Sequence, residues 1–264
     1  MFNIGWHRVW AVVLRHYYNF IHRIDRLVDA FYWPTLDVVI WGLTLSVMER
    51  QGQSGASQVS MIIFGVILWF LVWRGQGEIT VNLLEELWTE NLSNLFASPL
   101  RLVEWMIALC IVGLVKLAMT IALTSGVAYF LYRVNFFELG FALIPFTIIL
   151  LLMSWAFGFL TSGVFLRHGT NMQTLAWAGA FILMPFSAVF YPLEYLPNWV
   201  QAIALWVPST YVFEGMRSVV LHQVVPTEFY MKAIGLDLLY LVIGIWFFVR
   251  SFKVAHEKGL AHLK

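Results

Sequence analysis

Six stretches of this chain stay apolar long enough to cross a hydrocarbon core, which takes roughly 20 residues of helix. They fall at about 30–48, 58–77, 103–131, 139–166, 172–191 and 233–251, and they predict six transmembrane helices. The second is the least regular, because Arg74, Gln76 and Glu78 mark its end within "WRGQGE". The third and fourth exceed what a crossing needs, which predicts tilt or protrusion.

Three segments between these runs follow other patterns. Over 5–28, Trp6, Trp10, Val13, Leu14, Tyr17, Ile21, Ile24 and Leu27 recur at spacings of three and four. Arg8, Arg15, His22 and Arg26 take the opposite side, so the segment predicts an amphipathic helix lying in the headgroup layer. His7, Arg8, Arg15 and His16 interrupt any signal-type apolar region, so no cleavable leader is expected. Over 84–97, Leu84, Leu87, Trp88, Leu92, Leu95 and Phe96 form one stripe of a helix. Glu85, Glu86, Thr89, Glu90, Ser93 and Asn94 form the other, and Ser98-Pro99 reads as the cap and first position of the next helix. Over 192–231, an apolar piece from Val200 to Val207 lies between Pro197 and Pro208. It is too short to span, and it predicts either a re-entrant or interfacial segment or a hydrophobic loop packed on the bundle. Glu214 and Arg217, at i,i+3 on a short helix, form either a surface pair or a fixed element of an external gate.

Composition settles the broad class. Hydrophobic residues make up 61% of the 264 and charged ones 12%, against about a quarter charged in soluble domains. The 17% of aromatic residues suits the two interfaces of a bilayer. The expected fold is therefore an all-α integral membrane protein, read as one domain over 1–264. Cys110 is the single cysteine, so no intrachain disulfide can form. With six spans both termini share one side. Placing them inside puts eleven basic residues, from Arg8 to Lys264, in the cytoplasm. Only Arg50, Arg133, Arg217 and Lys232 remain outside, with Lys116 in the membrane, and this bias sets the orientation. The 84–97 segment then faces the cytoplasm. Its acidic side is wrong for anionic lipid and suits a protein partner, the alternative being a connector that rests on the bilayer.

The chain contains no GxxxxGK[ST] phosphate loop, HExxH, CxxC or GxSxG, and its seven histidines are scattered. No catalytic or metal site is expected. Asp37 and Lys116 are read as the charges within the spans, each costing roughly 2.5–3.5 kcal/mol at mid-bilayer unless partnered. Asp37 lies nearer the cytoplasmic face than Lys116, so a direct pair between them is doubtful. Lys116 is the better candidate for a polar inner surface, and no proton relay is suggested.

Two motifs carry a family resemblance. "ELWTENLSNLFASPL" is similar to the coupling-helix pattern ERExGTLExLLVSPV at Glu86, Leu92, Leu95, Ser98 and Pro99, with Glu90-Asn91 in place of Gly-Thr. The stretch 184–217 shares Tyr191-Pro192, Leu196-Pro197, Trp199, Pro208, Tyr211 and Glu214-Gly215-x-Arg217 with the same family. The chain resembles the permeases of type 2 ATP-binding-cassette (ABC-2-type) exporters. That resemblance implies a transmembrane subunit in a bacterial-type cytoplasmic membrane, paired with a second permease copy or with a similar permease, surrounded by lipid and without nucleic acid. Separate nucleotide-binding ATPase subunits would hold the ATP and Mg, with no cofactor on this chain. They would dock on Glu85, Glu86, Thr89, Glu90, Asn91, Ser93 and Asn94. Tyr191, Pro192, Pro197, Pro208, Glu214 and Arg217 would form the external gate. Spans one and five would line the dimer interface, with Trp33, Asp37, Trp41, Lys116, Trp177 and Phe181 as pathway residues and Gly42 and Gly179 beside them. The substrate would be amphipathic or lipid-linked. An ion-coupled transporter or channel, and a membrane-embedded lipid-modifying enzyme, are the rival classes; the sequence offers neither an acid chain nor a convergent catalytic set.

Overall fold

The computed structural model describes residues 4–52, 55–224 and 226–258, and shows helices and turns with no strand among them. Lys264, counted above among the inner basic residues, lies outside this set. Five helices are long and apolar enough to cross a membrane: α2 (Ile24–Arg50), α3 (Ala56–Trp88), α5 (Leu102–Tyr132), α6 (Leu143–His168) and α10 (Thr227–Lys258). They are joined by α1 (Trp6–His22), α4 (Leu92–Ala97), α7 (Leu175–Leu183), α8 (Asn198–Ala204) and α9 (Pro208–His222).

The structure corrects several sequence expectations. The helix predicted over 5–28 breaks at Arg23, whose backbone is extended, and residues 24–28 begin α2 instead. The helix of the second apolar run, expected over 58–77, does not stop there. Helix α3 continues through Arg74, Gln76 and Glu78 to Trp88, because those side chains find partners inside the bundle. The helix predicted over 84–97 is consequently two pieces: residues 84–88 are the last turn of α3, and α4 follows a break at 89–91. Glu90 has φ 52° there, a left-handed conformation that glycine adopts freely. It occupies the position of Gly in the family pattern. Ser98 closes α4 by donating to the Leu95 carbonyl, 2.6 Å, rather than capping α5. The α5 cap is Glu104, which accepts from the Arg101 amide at 2.9 Å.

The predicted fifth span is also not a continuous crossing helix. Gly169, with φ 66°, ends α6, and α7 gives way at once to a tight turn over Met184–Phe186, where Pro185 has no amide to donate. The segment nevertheless runs back along α3. Thr80 meets the Ala176 carbonyl, Gly179 packs on Gln76, Phe181 on Trp73, and Val189 on Gly65. At about 1.5 Å per residue this covers roughly 22 Å of α3.

Close approach of helices depends on small residues, as in other membrane bundles. A side chain at Gly42 would strike the Tyr132 ring, whose hydroxyl donates to the Val39 carbonyl at 2.8 Å. Gly244 of α10 faces the Ala156 backbone of α6, and Gly163 faces Phe247. Pro34 sits inside α2 and cannot donate to the Ala30 carbonyl; Thr120 of α5 donates to it instead, at 3.4 Å. The 192–231 region holds α8 and α9, with Pro208 at the first position of α9. Tyr240 donates to the Trp206 carbonyl at 2.7 Å, so the α8–α9 turn lies beside α10, about 20 Å along from its first residue.

Candidate functional site

A buried polar seam runs through the middle of the bundle. Arg74, Glu78 and Asn82 follow one another at i,i+4 along α3, so they share a face. Arg74 reaches Asp29 of α2 through its carboxylate (2.9 Å) and its carbonyl (2.7 Å). Its guanidinium also lies 5.0 Å from the Trp73 ring centre. Glu78 accepts from Lys116 of α5 at 2.7 Å and from the Asn82 amide at 3.2 Å, with Arg74 3.9 Å away. Lys116 therefore pairs with Glu78 rather than Asp37, which lies exposed on α2. Arg74, Glu78 and Lys116 are each at most 8% exposed, and such groups are stable only when paired and hydrogen-bonded.

Towards the α3–α5 connector the ion pairs join elements distant along the chain. Glu104, fully buried at the start of α5, accepts from the Gly5 amide (2.8 Å) and Arg8 (2.5 Å) as well as from Arg101. Glu86 pairs with Arg15 at 2.5 Å and accepts from Asn91 at 2.7 Å. Glu85 pairs with Arg23 at 3.3 Å and with Arg26. On the basic side of α1, Arg8 and Arg15 meet glutamates at the start of α5 and the end of α3. The side left exposed carries Trp6, Trp10, Tyr17 and Ile21. The acidic face predicted over 84–94 is divided in the same way. Glu85 and Glu86 point at arginines, Asn91 and Ser93 are half-buried, and Thr89, Glu90 and Asn94 are exposed.

His16 sits among these groups on α1 and is buried, with Nε2 lacking a partner among the described residues. Burial lowers its pKa to about 4, and the positive charges of Arg15 and Lys116 push the same way.

The opposite corner of the bundle is organised by Arg217. Its guanidinium donates to the carbonyls of Ala188, Val189 (3.5 Å) and Tyr191 (3.0 Å), and pairs with Glu214 at 2.9 Å. Glu214 also accepts from the Leu193 amide at 2.7 Å. Tyr191 donates to the Pro185 carbonyl (2.9 Å), and Thr210 to that of Phe186 (3.1 Å). The Glu214–Arg217 pair is thus a largely buried cap on irregular chain rather than a surface salt bridge. Pro192 is half-buried, Pro197 exposed and Pro208 buried.

The proposed pathway residues divide. Trp33 and Asp37 are exposed on α2, and Trp177 and Phe181 on α7. Trp41 is stacked on Phe190 with ring centres 4.7 Å apart, and Lys116 is inside. Gly42 and Gly179 seat Tyr132 and Gln76 of the same chain. Sequence reasoning missed Arg74, Glu78 and Glu104 as buried groups. The need of Lys116 for a counter-charge and the i,i+4 spacing on α3 were the available signals. It also overlooked Asp237, which falls within 233–251, is fully buried, and has no donor to either carboxylate oxygen among the described residues.

Two outcomes follow for stability. Lys116→Met or Glu78→Gln alone should destabilise the purified protein by about 3–5 kcal/mol, because each deprives a buried charge of its closest partner. The double variant should recover most of that loss in thermal unfolding. For His16, the folded pKa lies below the unfolded value near 6.5, so above that pH the residue contributes no pH dependence. As pH falls from 6.5 to 4 the unfolded state gains a proton that the native state refuses. Wild type should lose about 3 kcal/mol over that window relative to His16→Gln.

Residues 42–250 match the family described as ABC-2 family transporter protein. A search of curated proteins gives no significant match. The family match spans most of the chain, and the protein belongs to the ABC-2 transporter permease family. It is an integral membrane transport component of a kind that generally works with an ATP-binding partner subunit.

Proposed function

We propose that this chain is the transmembrane subunit of an ATP-driven exporter that works as a pair of permeases with two separate ATPase subunits. In this reading six segments cross the membrane, with the broken 172–191 segment as the fifth, and both termini face the cytoplasm. The antiparallel run of 176–189 along α3 supports the fifth crossing, and the Tyr240–Trp206 contact supports a re-entrant α8–α9 hairpin. The Arg217 cap holds the outer corner where substrate would leave.

The observation that carries the reading is the arrangement at the connector. Here α4 and the 89–91 turn present Thr89, Glu90 and Asn94, while the adjacent Glu85 and Glu86 are tied to α1 and α2. Force applied by an ATPase to the exposed residues passes directly to the end of α3, and through the ion pairs to α1 and α2. The docking surface is then Thr89, Glu90 and Asn94 with half-buried Asn91 and Ser93, and Glu85 and Glu86 act as transmitters. An amphipathic or lipid-linked substrate would move along the faces of α2 and α7 that carry Trp33, Trp177 and Phe181, against a second copy of the chain.

The test is co-purification with the chain's ATP-binding partner subunit. Changing Glu90 to Lys together with Asn94 to Arg should abolish association, or lower permease-stimulated ATP turnover at least tenfold, with the permease still folded. Unaltered assembly and turnover would remove the docking role from this connector.

A further inference from the structure

Beside the seam, a cleft of about 200 Å³ opens between the first turns of α2, the C-terminal half of α3 and the start of α7. Its floor is Gly77. A Cβ built there meets nothing within 4 Å, unlike the one at Gly75, which would strike Ser154. Glycine inside a helix costs about 1 kcal/mol relative to alanine, and at Gly77 no packing contact compensates for it. What its bare backbone provides is room.

The walls are aromatic. Trp88 and Trp177 stack with ring centres 6.1 Å apart and are 48% and 41% exposed, and Trp73 lies deeper. Three guanidinium groups also line the cleft, but each already meets a carboxylate: Arg23 holds Asp25 at 2.7 Å, Arg26 holds Glu85, and Arg74 holds Asp29. Arg74 is also turned inward, its side chain 6% exposed. The mouth presents the carboxylates of Asp25 and Asp29, 62% and 41% exposed, with Arg23, 50% exposed, held between Asp25 and Glu85. Asp29 uses only Oδ2 towards Arg74, and Oδ1 has no protein donor among the described residues. An anion arriving here finds each arginine already paired with a carboxylate. A cation finds a carboxylate oxygen and indole rings, which attract positive charge through their faces.

We infer that this cleft binds the head of a cationic amphipathic molecule, with its ammonium between Asp29 and the Trp88–Trp177 pair and its tail directed along α7. The inference rests on the exporter reading and narrows its substrate class: the cleft is where a cationic amphiphile is taken up before export. Gly77 sets the depth available to the head, and Asp25 adds to the negative mouth. The arginines hold the carboxylates in place.

The experiment measures equilibrium binding to the full chain in phosphatidylcholine nanodiscs, with empty discs subtracted. The probes are octyltrimethylammonium and octyl sulfate, which share a tail and differ in charge. The cation should bind saturably, one per chain, and at least tenfold more tightly than the sulfate. Gly77→Leu, which fills the floor, should weaken cation binding about tenfold. Trp177→Leu, a change at an exposed position that leaves the seam intact, should weaken it severalfold with unchanged thermal unfolding. Equal or tighter binding of octyl sulfate, or cation binding that ignores both substitutions, would overturn the assignment. The assay contains no ATPase, so its failure is separable from failure of the exporter reading: binding without ATPase assembly sinks the latter alone, and assembly without binding sinks the former alone.

Discussion

A charge inside a bundle that lipid surrounds has no water to fall back on, and the pairing of Lys116 with Glu78 is the constraint around which this fold is arranged. Glu78 brings α3 against α5, and one turn earlier Arg74 brings the same helix against α2 through Asp29. Three helices are thereby fixed in register by one polar row. Each partner is costly to bury alone, and the pairs resist sliding because any shift along a helix axis separates opposite charges.

The same principle governs both ends of the bundle. At the connector, Glu86 and Glu104 take Arg15 and Arg8, so α1 lies across the ends of α3 and α5. Its exposed ridge of Trp6, Trp10 and Tyr17 still suits an interface, but its basic side is an internal fastening. At the other end, Arg217 supplies donors to backbone carbonyls that no helix or strand satisfies. Irregular chain at that depth is tolerated because a buried side chain completes its hydrogen bonds. Between these fastenings the helices meet through glycines such as Gly42, Gly163 and Gly244, where packing rather than charge sets the distance.

What could be read from the chain was what depends on local runs of residues. The apolar lengths of α2, α3, α5, α6 and α10, the amphipathic start and the short prolines-bounded piece near Val200 all follow from neighbouring positions. The fifth apolar run failed as a continuous helix because Pro185 interrupts it, and because the chain beyond is held by Arg217, a residue distant in sequence. Charges such as Arg74 and Glu78 usually close a span, and their partners Asp29 and Lys116 lie far away along the chain. The arginine partners of Glu85 and Glu86 are hidden for the same reason, since periodicity divides a helix into faces without saying what stands opposite each. The departure from Gly at Glu90 was visible, and the left-handed backbone there gives it a physical meaning.

On the proposed exporter reading, α1 and the end of α3, joined by the Arg15–Glu86 pair, move as one body when force reaches the connector. The most direct measurement is ATP-driven transport into inverted vesicles by variants with that pair reversed. Arg15→Glu and Glu86→Arg, each alone, should uncouple transport from ATP turnover while the ATPase remains bound, and the two together should restore coupling. Full coupling in both single variants would contradict the account.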